Sequence, residues 1–289
     1  MAVIFGLAAA LTYGAADFLG GLATRRTKVL SVVLLSQVAG SLVLAGLIPF
    51  FIEVDPTGRA LVWGALAGVA GAGGVAIFYQ GLAIGRMGVV APITGVGAAT
   101  IPIVFGLATG ERPSAIALTG VILALVAVGL ISKSSEATEL ELDAARPGRL
   151  AGWMESGIAH ALASGVGFGV FFILLDRAGE DTGLWPLLGV RGGSMITIVV
   201  ALIASRGWDR PPRSSAAMIV GSGILDVSAN VLYLLAAQRG LLSIAAVLTS
   251  MYPAATLLLA RIALKERFER IQVLGLVVAA VAVSAIALG

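Results

Sequence analysis

Asp226 and Asn230 stand four residues apart in SGILDVSANVLYLL, residues 222–235, a run that is otherwise apolar. On a helix that spacing puts both on one face, and Ser222 and Tyr233 extend the same stripe. A carboxylate, an amide, a hydroxyl and a phenol in line are able to hold a polar or cationic ligand, or to carry a proton. They serve equally well to hydrogen-bond one helix to another. A second stripe pairs Tyr13 with Asp17. Arg191, with Ser194 almost one turn on, calls for a carboxylate or an anionic ligand, so Asp17 and Asp226 are natural partners; the alternative is a long stem reaching to lipid headgroups. His160 is the single histidine and a candidate proton relay, or a packing residue. Thr249, Tyr252 and Thr256 surround Pro253, where a missing N–H frees backbone carbonyls to line a cavity or to kink a helix.

These groups are conspicuous because of their surroundings. Of 289 residues, 58% are hydrophobic and only 12% charged, with a mean hydropathy of +1.02, which marks an all-α membrane protein. An ionisable side chain near mid-bilayer costs about 2.5–3.5 kcal/mol and normally faces a bundle interior or a wet cavity. The absence of cysteine excludes disulfides and thiol catalysis. One histidine and no aspartate cluster exclude a multi-histidine metal site and a metal–diphosphate transferase. No phosphate-binding glycine loop is present, GGSM (192–195) with His160 makes a poor hydrolase pair, and the formal charge of +3 is too small for nucleic acid. Neither an enzyme nor a cofactor is expected.

Helices of about 20 apolar residues span a bilayer. Ten such runs are predicted at 2–23, 30–51, 60–83, 87–108, 114–132, 153–175, 184–204, 216–237, 241–260 and 271–288. The first lacks a basic leader and reads as a retained span rather than a cleaved signal. The longest polar break, 133–150, divides a first unit (1–132) from a second (151–289).

The two units repeat one another. ITGVGAATIPIVFGLATGER (93–112) laid over LTSMYPAATLLLARIALKER (248–267) pairs Thr94 with Thr249, Glu111 with Glu266 and Arg112 with Arg267; the same offset pairs Gly120 with Gly275, and Tyr79 falls near Tyr233. Glu111 and Glu266 lie at span ends, where capping or pairing with the adjacent arginine is expected. Five spans per unit is an odd number, so the second copy enters the membrane from the opposite side, giving two inverted five-helix repeats. Fourteen of the Lys and Arg residues fall in loops after odd-numbered spans and four after even-numbered ones, which predicts both termini outside.

Ten spans in two repeats, the GER and KER turns at Gly110–Arg112 and Lys265–Arg267 and the opening YGAADFLGG resemble the EamA-like branch of the drug/metabolite transporter superfamily. That resemblance covers nearly the whole chain. It implies a multi-pass protein of the cytoplasmic membrane with cytoplasmic termini, exporting amino acids, other metabolites or toxic compounds from a cavity between the halves by proton or substrate exchange. The expected partners are a small-molecule substrate and the lipid bilayer. The expected site comprises Asp226, Asn230, Tyr233 and Ser222, with Tyr13 and Asp17 opposite, Arg191 as counter-charge, and Thr249 and Tyr252 secondary. Asp226, Asp17 and His160 are the candidates for proton coupling. A lipid-handling or scaffold protein would instead seal the stripe in a dry interface, and a channel would set it along a continuous pore.

Overall fold

The structure is a computed structural model describing residues 1–50, 57–85, 87–132, 157–179, 182–205, 207–264 and 270–288. The linker at 133–150, the start of the predicted sixth span and the Lys265–Arg267 turn with Glu266 lie outside the described residues.

The first repeat contains α1 (Ala2–Thr24), α2 (Val29–Leu47), α3 (Gly58–Ile84), α4 (Met87–Ala108) and α5 (Ala115–Ser132). The second contains α6 (Ile158–Asp176), α7 (Trp185–Ser205), α8 (Arg213–Ala237), α9 (Leu242–Thr249), α10 (Tyr252–Leu264) and α11 (Arg270–Leu288). Among the described residues, seven helices are long and apolar enough to cross a membrane by themselves, and shorter apolar helices cover 115–130, 242–256 and 273–288. Large side chains such as Leu11, Leu42, Ile196 and Ile203 are exposed around the outside, where only lipid suits them.

The predicted ninth span, 241–260, is broken: α9 ends at Thr249, a turn takes Ser250 and Met251, and α10 runs on to Leu264. Pro253 has no N–H for the Thr249 carbonyl, so the helix restarts with proline in its first turn, where none is needed. Its counterpart α4 stays one helix through Pro92 and Pro102.

The principal helix pairs come in twofold-related sets. The contact α3–α7 is mirrored by α8–α2, α3–α6 by α8–α1, and α4–α6 by α1 against α9 and α10. The equivalent helices α5 and α11 pair with each other and run antiparallel, since Gly120 near the start of α5 meets Ala282 and Ile286 near the end of α11. The repeats are therefore inverted, and most of the packing lies between them.

Backbone contact without intervening side chains holds the pair α3–α7. A β-carbon on Gly64 or Gly68 would overlap the Pro186 or Val190 carbonyl, and one on Gly189 or Gly193 would overlap the carbonyl of Leu61 or Ala65. Both helices carry small residues at i and i+4, the spacing that lets membrane helices approach closely. Arg191 sits between the two glycines of α7, so this contact fixes its depth. Gly193→Val is expected to cost about 1–3 kcal/mol through overpacking, measured as a lower unfolding temperature in detergent, whereas valine at Gly192, which has open space, is expected to leave it unchanged.

The GER turn also works between repeats. Gly110 adopts φ +106°, which closes α4 through a bond from the Glu111 N–H to the Gly106 carbonyl at 2.9 Å. The Glu111 carboxylate then accepts the Ser243 N–H at 3.2 Å, at the N-terminus of α9 in the other repeat. Arg112 donates to the Glu111 carbonyl at 3.0 Å rather than to its carboxylate.

Candidate functional site: a central polar cavity between the repeats

Where α1, α2, α3, α6, α7, α8 and α10 converge lies a cavity of about 550 Å³ of empty space, its mouth included. The first repeat contributes Tyr13 and Asp17 from α1, Gln37 from α2, and Gly71 and Val75 from α3. From the second come Phe168, Phe171 and Phe172 of α6, Val190, Arg191 and Ser194 of α7, Asp226 and Asn230 of α8, and Tyr252 of α10.

Arg191 is the centre of the polar network. It is 5% exposed, donates from Nη2 to Asp226 Oδ2 at 2.9 Å and from Nη1 to the Gln37 side-chain carbonyl, and leaves its buried Nε–H without a partner. Taking a guanidinium out of water is tolerable only with such a charged partner. The Asp226 side chain keeps 22% of its surface open, so the pair is presented to the cavity rather than sealed behind it. Asn230 donates back to the Asp226 backbone carbonyl at 2.7 Å, which holds the amide in place and leaves its Oδ1 available as an acceptor. Ser194 donates to the Gly68 carbonyl at 3.1 Å, and Tyr252 makes a long 3.5 Å contact to the Ala91 carbonyl. The Tyr13 hydroxyl is buried with no partner among the described residues.

The structure gathers Tyr13, Asp17, Arg191, Asp226, Asn230 and Tyr252 around one space. Ser222 and Tyr233 do not line it, although they share the helical face of Asp226. They stand beyond its ends, because face periodicity fixes angle and not depth. Ser222 shares a 3.1 Å hydrogen bond with the Tyr79 hydroxyl, and the Tyr79 ring lies against Gly20, where a β-carbon would overlap it. At the other end the Tyr233 ring stacks on Phe172 at 4.4 Å and its hydroxyl donates to the Phe172 carbonyl at 3.2 Å. Eleven residues of α8 separate the two closures, about 16 Å along the axis. Tyr79 and Tyr233 are the two tyrosines that the repeat pairs.

Thr249 is buried with an unpartnered hydroxyl at the break between α9 and α10, outside the cavity lining, and Thr256 donates to the Gly14 carbonyl at 3.1 Å. His160 is also off the cavity, packed near Gly81, with Nδ1 unpartnered among the described residues. Beyond the Tyr233–Phe172 stack, a second and larger space of about 1130 Å³ is lined by Arg59, Glu111, Asp176, Arg177 and Gln238 among others, forming a polar vestibule at the helix ends.

Gln37 and three phenylalanines are among the lining residues that escaped the sequence reading. Gln37 was visible as an amide in an apolar span. Phe168, Phe171 and Phe172 were not, since aromatics in a membrane helix look the same whether they face core, lipid or cavity.

Together these features define a helical membrane protein in which two inverted repeats enclose a charged cavity. The sequence model of the EamA-like transporter family matches residues 1–133 and 155–288, one copy per repeat, and the chain belongs to that family of membrane transporters. A solved structure titled only "Crystal structure of protein" superimposes with a TM-score of 0.72 at 16% identity, over 99% of this chain and 98% of its own, which establishes likeness of fold. No curated protein matches the sequence.

Proposed function

We propose that the protein is a secondary active transporter that moves a small polar or amphipathic metabolite, in the outward direction, across the cytoplasmic membrane by alternating access. The observation that carries this reading is the open face of the Arg191–Asp226 pair in a cavity built by both repeats. A scaffold protein has no use for a buried ion pair that keeps an open face. The closures at Tyr79–Ser222 and Tyr233–Phe172 favour a carrier over a channel, because they stand at the two ends of the polar stripe, where a channel would need an unobstructed path. Rocking one repeat against the other would part Tyr79 from Ser222, which stand on different repeats, whereas Tyr233 and Phe172 both belong to the second repeat and part only if α6 and α8 shift within it.

Proton coupling is assigned to Asp17 and Asp226, which share the cavity with the titratable groups Tyr13 and Tyr252 and with the Arg191 charge. His160 lies off this path and is not needed for it. The test is flux in proteoliposomes: a panel of labelled amines, amino acids and organic acids is offered with an imposed pH gradient. Native protein is expected to accumulate at least one compound at a rate that falls more than tenfold when the gradient is collapsed. Gradient-driven flux that persists in Asp17→Asn and in Asp226→Asn would remove both carboxylates from coupling, and flux that never saturates with concentration would indicate a channel.

A further inference from the structure

The charges around the cavity do not balance. Its lining includes Asp17, Arg191 and Asp226 as ionisable charges, with Tyr13 and Tyr252 as further titratable groups. Arg191 is already engaged by Asp226 and Gln37. Asp17 lines the same space, is 8% exposed, and among the described residues accepts no hydrogen bond and joins no ion pair. One turn earlier on α1, the Tyr13 hydroxyl is unpartnered too. A carboxylate withdrawn from water with no protein partner is held either by a proton or by a cation that arrives from outside the protein, and the two exchange for one another.

The remaining walls say what kind of cation. Phe168, Phe171, Phe172 and Tyr252 present aromatic surface, and Val75 adds an aliphatic patch. Aromatic faces attract ammonium groups, most strongly where water is scarce, and they also bury a carbon skeleton. An inorganic cation would leave this surface unused. An anion would have to share Arg191 with Asp226 and lie in the same cavity as two carboxylates.

We infer that the cavity binds a monovalent organic cation, an amine or quaternary ammonium with an apolar body, with Asp17 as its counter-ion and the aromatic rings around its body. The Arg191–Asp226 pair then shapes the site without setting the sign of its ligand. This inference rests on the cavity being the substrate site.

The test compares three probes of one size on the purified full-length protein in lipid nanodiscs, by calorimetric titration without any gradient: benzyltrimethylammonium, neutral benzamide and anionic benzoate. The native protein is expected to bind the cation at least tenfold more tightly than either of the others. Asp17→Asn is expected to weaken the cation tenfold or more while leaving benzamide within twofold, and Asp17→Glu to restore most of the preference. Benzoate binding tightest, no measurable cation binding at millimolar concentration, or an unchanged cation affinity in Asp17→Asn would each overturn the inference. The native ranking needs no variant, so a misfolded mutant does not remove the test. Preference for benzoate would reverse the charge class and leave the carrier reading standing, since saturable gradient-driven flux is measured separately.

Discussion

Asp226→Leu is expected to destabilise the protein by on the order of 3 kcal/mol and to abolish transport. The substitution leaves the Arg191 guanidinium, 5% exposed, with only the Gln37 amide for company. Removing one partner of a buried pair is expensive because the other charge stays in a place that cannot hydrate it, whereas removing both is often neutral. Arg191→Met combined with Asp226→Leu is therefore expected to recover most of the unfolding temperature of the native protein in detergent. Flux is expected to stay lost in the double variant, because the polar wall that it removes belongs to the site. A stable and active Asp226→Leu protein would show that the pair matters to neither fold nor function. A double variant as unstable as the single would mean that the loss comes from packing rather than charge.

The second large effect concerns the two closures. The chain contains no cysteine, so a single one placed at Val75, on the cavity wall, reports access without a background to subtract. In the native context that thiol is expected to react slowly with a membrane-impermeant maleimide added to sealed vesicles of either orientation. Tyr233→Ala removes the ring stacked on Phe172 and joins the cavity to the vestibule lined by Arg59 and Gln238, so labelling is expected to rise more than tenfold from that side. Tyr79→Ala removes the hydroxyl bound to Ser222 and is expected to raise labelling from the opposite side. Each truncation also costs about 3–5 kcal/mol of packing, so labelling is read below the unfolding temperature of each variant. Acceleration from the same side in both variants would remove the tyrosines from the gating role.

The fold was largely legible in the sequence because two independent signals converge on it: runs of apolar residues of bilayer length, and an offset that pairs Glu111 with Glu266 and Gly120 with Gly275. The family match, with one copy on each repeat, agrees with that reading. Where the ninth span breaks was less legible. Pro253 marks the place, but Pro92 and Pro102 mark two places in α4 that do not break. Sequence shows where an N–H is missing, not whether neighbouring helices hold the strand of backbone straight.

For the cavity, polar interruptions in apolar helices were a sound guide to Asp226, Asn230, Arg191, Tyr13 and Asp17, since each needs a partner or water. Ser222 and Tyr233 share the face of Asp226 but sit too far along the axis, a distinction that only the helices of the other repeat define. The partner of Arg191 was narrowed to two aspartates by chemistry alone, and the fold selects Asp226 by packing α7 and α8 against the same helix, α2.

The interruption between Thr249 and Tyr252 has a consequence for the resting molecule. Were the two halves identical, the conformations open to either side would be related by a two-fold rotation and have the same free energy, and an empty carrier would divide its time equally between them. A ninth span in two pieces opposite an unbroken α4 removes that degeneracy. A difference of about 1.4 kcal/mol suffices for a tenfold excess of one conformation, so under the alternating access proposed above the unloaded protein is expected to wait facing one compartment.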